Sequence, residues 1–248
     1  MMLIAHPSGR YRFLKGIAPY SCGVVAEEGY QIVHVTLREA TPWRAGFDRI
    51  EAHLKASNLD RDALCGVELR SPEPFSMQGF IDFNRDYCAR LEAWGLYVDG
   101  VNPIARTNVS PVHGPPPAPA VHGFSYLEPG KGATAATLVI AGAGELVDGA
   151  LQEDRIIRSG DTSPAAIAQK ADYVMQVMAE RLRGLGGNWE QINTVDVYTV
   201  HPLDTLVDRL AAWSPVARHG FVHHVTRPPV KDIEFEMDMR SVDKELVV

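Results

Sequence analysis

Two residues near the C-terminal end carry the side chains that a hydrolysis of an anionic substrate needs. Arg218 and Glu234 stand sixteen positions apart, and apolar residues alternate on both sides of the intervening Arg227-Pro-Pro-Val-Lys-Asp. The alternation predicts two strands joined by a turn, with Arg218 heading the first and Glu234 opening the second. A guanidinium grips a carboxylate through paired hydrogen bonds, and a glutamate beside it activates water. The same spacing fits a cross-strand salt bridge on a solvated face, and Glu236 shares the alternation of Glu234.

Other polar clusters say less. Adjacent His223 and His224 point to opposite faces of a strand, and neither they nor His219 have an Asp, Glu or Cys at ligand spacing, so no metal is expected. Cys22, Cys65 and Cys88 are an odd number without a metal-type pair, which argues against a disulfide framework and fits a reducing cytoplasm. Cys22 reads as a small buried hydrophobe or as a reactive thiol.

The elements that must position these residues repeat. Ile17–Ala26 and Tyr30–Leu37 read as a β-hairpin, followed by a Thr41-Pro42 helix start and Trp43, Phe47, Ile50 and Leu54 at helical spacing. A strand around Cys65–Arg70, a helix from Met77 to Trp94 and a strand from Ile104 to Val112 follow. The proline-rich 113–120 tract reads as a semi-rigid linker between a unit at 1–112 and a unit at 121–248. After it the order begins again: His122–Tyr126 and Thr137–Gly144 as a second hairpin, and a Ser163-Pro164 start with Ile167, Ala171, Val174 and Met178 at the increments of the first helix. A strand at Ile192–Val200, a helix at Leu203–Trp213 and the terminal hairpin complete it. Pro-Ile-Ala-Arg106 stands beside Pro-Val-Ala-Arg218, but sixteen residues after Arg106 comes His122, not a carboxylate. Read this way, the first half has no final strand. Arg106 is then a second anchor, a contributor to a neighbouring unit's site, or a structural residue.

Of 248 residues, 46% are hydrophobic and 22% charged, a composition for folded rather than disordered chain. The formal net charge of −7, without any concentrated Lys/Arg stretch, argues against nucleic-acid binding and leaves room for a small anionic substrate met by local arginines. No apolar run reaches membrane-spanning length, so no membrane partner is expected.

Several motifs resemble the Rid family (RidA, also called YjgF or UK114): Gly16-Ile-Ala-Pro-Tyr-Ser21, Phe83-Asn-Arg-Asp-Tyr87, Asn193-Thr-Val-Asp-Val-Tyr-Thr, Pro-Val-Ala-Arg218, and the ending Arg227-Pro-Pro-Val-Lys-Asp-Ile-Glu234-Phe-Glu236. Nearly the whole chain resembles two such units in tandem. The resemblance implies an α+β, chorismate-mutase-like fold whose sheets pack into trimeric barrels, here a homotrimer of two-unit chains, with clefts between units. It also implies cofactor-free hydrolysis of reactive enamines or imines to keto acids and ammonia. Arg218 stands where the family arginine holds the substrate carboxylate, and Glu234 where a carboxylate handles water. Tyr20 stands at the family's cleft entrance, with Phe124 in that place in the second half. Gly142 and Gly144 stand where backbone amides meet the ligand, although the family's Ser-Gly-Gln reads Ala-Gly-Ala here. The 2-aminomuconate deaminases resemble Rid proteins, which makes an aminomuconate-type dicarboxylate a specific candidate. Chorismatases also pair Rid-like halves, and non-catalytic Rid proteins exist, so a pyruvate-releasing hydrolase and a small-molecule binder are the alternatives.

Overall fold

The structure is a computed structural model and describes residues 1–130, 135–147, 151–204, 206–212 and 218–248. Its helices follow the apolar periodicities. Trp43–Ala56 (α1) buries Phe47, Ile50 and Leu54, with Pro42 rather than Thr41 at the cap position. Met77–Ala93 (α2) is capped by the Ser76 side chain, which accepts from Gly79 N–H. Pro164–Gly184 (α3) has Ser163 as cap and proline in its first turn, where the missing N–H costs nothing. Val207–Ala211 (α4) is shorter than the periodicity predicts, and the expected end at Trp213 lies outside the described residues.

Among the described residues twelve strands form one sheet. They are Leu3–Ala5 (β1), Tyr11–Leu14 (β2), Gly23–Ala26 (β3), Tyr30–Pro42 (β4), Leu64–Arg70 (β5), Ala105–Pro111 (β6), Ala120–Pro129 (β7), Leu138–Gly144 (β8), Thr194–Thr199 (β9), Val222–Arg227 (β10), Glu236–Ser241 (β11) and Lys244–Val247 (β12). The two halves have one topology. In the first, β7 lies antiparallel between β4 and β5, and β5 runs parallel to β6. In the second, β11 lies antiparallel between β8 and β9, and β9 runs parallel to β10. Pairing of β10 with β6, Arg227 opposite Ser110, joins the halves.

This topology corrects four expectations. The terminal pair is no hairpin, because β11 inserts beside β8 and β9 while β10 pairs with β9 and β6. Neither of the other expected hairpins forms: β3 pairs with β2 and β8 rather than β4, and β7 does not pair with β8. The first half does have a final strand. It is β7, the segment expected to open the second unit, so the 113–120 tract is an exposed connection within the first sheet. Finally, the chain ends are exchanged: β1–β3 extend the second half through β8, and β12 extends the first through β4. Alternation reports which face of a strand is buried, but not which neighbour it meets.

The described residues form four apolar clusters, a small one around Phe80, Val230 and Ile233 and three larger ones. One lies under α1 and α2 around Phe47, Tyr87 and Phe124. A second lies under α3 around Val174, Met178, Met237 and Met239. The third, with Tyr11, Phe13, Val24, Ile32, Leu127 and Val139, ties the N-terminal strands to both halves. Among the described residues no helix is long and apolar enough to cross a membrane.

Candidate active site

Where the halves meet, a cavity of about 290 Å³ opens between the β2–β3 corner, α2, β6, β8, α3 and the start of β11. Arg106 on β6 is 3% exposed and is the cationic centre of one wall. Its Nη1 donates to Asn84 Oδ1 at 2.8 Å. Its guanidinium lies 5.0 Å from the ring centre of Tyr20, 5.4 Å from Phe80 and 4.9 Å from Tyr87. Three aromatic faces and one amide thus hold the guanidinium while sparing most of its N–H groups. Burial raises the Tyr20 phenol against the pull of Arg106 and Arg181, so Tyr20 is present as a hydroxyl.

The second half supplies the acid. Glu236, the first residue of β11, is 5% exposed and lines the same cavity. Its side chain fits because residue 142 has none: a Cβ on Gly142 would lie 2.3 Å from Glu236 Oε1. Burial raises the Glu236 carboxyl from its ordinary 4.5 to about 8, with Asp238 adding to the shift and Arg106 and Arg181 opposing it. At neutral pH it is mainly the neutral acid. Behind it, Asp238 Oδ2 accepts from Thr107 Oγ1 at 2.6 Å and Tyr198 OH at 3.0 Å. Arg181 of α3 also lines the cavity, and its Nη1 donates to the carbonyls of Ala141 (2.8 Å) and Gly142 (3.2 Å).

The segment leading into Glu236 is clamped from below. Glu145 and Lys170 form a 2.9 Å ion pair with both side chains fully buried. The Glu145 carboxylate also accepts from the N–H groups of Glu234 at 2.6 Å and Phe235 at 3.0 Å.

Of the residues singled out in the sequence, Tyr20, Arg106, Gly142 and Gly144 line this cavity. Gly142 does so differently from expectation: its N–H is taken by Thr107 Oγ1 at 3.1 Å, so it contributes space rather than a free amide. Phe124 does not line it, being 1% exposed in the first-half core beside His53 and Tyr126. Nor do Arg218 and Glu234. Arg218 is exposed and donates to the Glu190 carbonyl and the His219 ring, and Glu234 is 2.7 Å from His201 Nε2. No hydrogen bond or ion pair joins those two among the described residues.

Signals for the residues that were passed over did exist. Glu236 and Asp238 are acids on one face of a strand whose other face is Met237 and Met239, and Arg181 continues the apolar stripe of α3 one step past Met178. A charge on a core-facing position needs a partner or a function. Among the described residues no group of His, Cys, Asp and Glu has the arrangement to hold a metal ion.

Comparison with known proteins identifies the family. A family model described as 2-aminomuconate deaminase CnbZ matches residues 3–246. A 2-amino-5-chloromuconate deaminase from Comamonas testosteroni is 39% identical over 242 residues, covering 97% of this chain and 96% of that protein. A chorismatase crystal structure covers 89% of this chain and 77% of its own at 15% identity with a TM-score of 0.55, which shows a shared fold. The YjgF gene product of E. coli covers 46% of this chain and 85% of its own at 14% identity, TM-score 0.30. Since the family match runs almost from end to end and a relative of the same kind aligns over nearly the full length of both proteins, the chain belongs to the 2-aminomuconate deaminase CnbZ family.

Proposed function

We propose that the cavity hydrolyses the amino group of a 2-aminomuconate-type enamine, giving the 2-oxo acid and ammonia, with Arg106 and Glu236 as the working pair. Membership of a deaminase family makes the chain an enzyme acting on C–N bonds. The observation that carries the assignment is the convergence of Arg106 from one half and Glu236 from the other on a single buried cavity beside Tyr20.

In the proposed reaction Arg106 binds the carboxylate next to the nitrogen-bearing carbon. The neutral Glu236 carboxyl protonates the enamine at carbon, converting C–NH₂ to the iminium C=NH₂⁺. The resulting carboxylate takes a proton from water as the water adds to that carbon, passes it to nitrogen, and takes the remaining hydroxyl proton as ammonia leaves and the carbonyl forms, which restores the neutral acid. One water is consumed and one ammonia released. A group whose pKa sits near the working pH serves both steps, a contribution of roughly 10²- to 10⁴-fold.

Ammonia release from 2-aminomuconate tests the assignment. Arg106→Ala and Glu236→Gln are expected to lower the rate by about a hundredfold or more, and Arg218→Ala and Glu234→Ala to leave most of it. The opposite ranking would move the chemistry to the Arg218 and Glu234 surface, and pyruvate release from chorismate would replace the deaminase reading. The same proposal includes assembly of the chain into a homotrimer.

A further inference from the structure

We propose that Lys15 is a second carboxylate anchor, so that Arg106 and Lys15 hold opposite ends of a dicarboxylate and make the cavity prefer it to a monocarboxylate. Which end reacts rests on the deaminase reading above; the two-ended grip itself does not.

Lys15 follows β2 and lines the cavity from its exposed rim, whereas Arg106 is buried in the wall beside Glu236. Its ammonium has no hydrogen-bond or ion-pair partner among the described residues. The backbone beneath it is nonetheless fixed. Lys15 N–H donates to Met2 O at 2.8 Å, Cys22 N–H to Leu14 O at 2.9 Å and Tyr20 N–H to Ile17 O at 3.1 Å. The turn is so tight that a Cβ on Gly16 would lie 2.3 Å from the Tyr20 carbonyl oxygen. One corner therefore sets the Tyr20 ring against Arg106 and starts the Lys15 side chain at the mouth.

Charge points the same way. Lys15, Arg106 and Arg181 line the cavity against Glu180, while Glu236 is held mainly neutral. The excess of cations matches a dianion and leaves a monoanion one charge short. Arg181 is a poorer candidate for the distal end, because it is 8% exposed and its Nη1 is committed to the Ala141 and Gly142 carbonyls. Glu236 lines the same cavity as Arg106, and an extended ligand held on Arg106 has Lys15 at the exposed rim to reach for.

Calorimetric titration of the full chain with trans,trans-muconate and with sorbate, the same six-carbon diene with one carboxylate replaced by methyl, tests this without turnover. The parent is expected to bind muconate about five- to tenfold more tightly, an exposed charge-assisted contact. Lys15→Met should erase that preference while leaving sorbate within about twofold, Lys15→Arg should retain it, and added salt should shrink it. The proposal is overturned if Lys15→Met keeps the preference, or if the parent binds the two ligands equally or binds neither. Failure of the deaminase reading looks different: the parent releases no ammonia from 2-aminomuconate, whatever it binds.

Discussion

Glu236 must give a proton and later take one, so its protonation equilibrium sets the pH range of the proposed reaction. The carboxyl titrates at about 8 in the folded chain against an ordinary 4.5, with burial as the main cause. The folded state therefore binds this proton more tightly than the unfolded state does. The stability attached to it is complete below 4.5 and is lost as pH rises to about 8, at up to roughly 1.4 kcal/mol per pH unit. Urea midpoints of the parent should fall between pH 5 and 8, and those of Glu236→Gln should fall less, since an amide has no proton to lose. Parallel pH curves for the two proteins would show that the acid is not held neutral. At this scale the sequence singled out Tyr20, Arg106 and the two glycines, and all four line the cavity, Gly142 as space rather than as a free amide. The sequence was not legible for the choice between Arg106 and Arg218, which have the same local motif. Their difference arises from what packs on them: aromatic rings and Asn84 around Arg106, and an exposed setting for Arg218.

The placement of Glu236 depends on the element ahead of it, where two backbone N–H groups rest on the Glu145 carboxylate and Lys170 neutralises that carboxylate from α3. Removing one member of a fully buried pair leaves the other without compensation. Lys170→Ala is therefore expected to destabilise the fold by about 3–5 kcal/mol, and Lys170→Met combined with Glu145→Gln by less, as denaturant titration would measure. If Lys170→Ala costs under about 1 kcal/mol, the clamp is not what holds this segment. Neither residue was singled out in the sequence, although Lys170, like Arg181, is a charge on the buried face of α3 and the acid follows a glycine-containing strand. The helices themselves were legible: the apolar increments at Phe47, Ile50 and Leu54 recur at Ala171, Val174 and Met178, and all six are buried. Strand positions were legible and strand partners were not, since β3, β7 and β11 each pair across a sequence distance that alternation does not encode.

For the molecule as a whole, the exchange of chain ends ties the two halves together in one sheet, because β3 is bonded to β8 and β12 to β4. The repeated topology was visible in the repeated helices, but the exchange was not, as the short strands at either end carry little pattern of their own. The sheet that results has an unusual centre. Although β10 is flanked by β9 and β6, Val222 and Val225 on it are 48% and 46% exposed, and Val112, whose N–H donates to Val225 O at 3.3 Å, is 41% exposed. Valines on a mid-sheet strand are normally covered, and here Val225 and Val112, adjacent across β10 and β6, leave apolar surface open. The proposed homotrimer would cover this strand. Light scattering after size exclusion should then give three times the chain mass for the parent and a smaller species for Val225→Lys, with the cavity's muconate binding retained in any variant that stays folded, since Val225 is not among the cavity's lining residues. A parent that runs as a single chain would remove the trimer from the proposal, and a Val225→Lys protein that still runs as a trimer would move the interface elsewhere on the sheet.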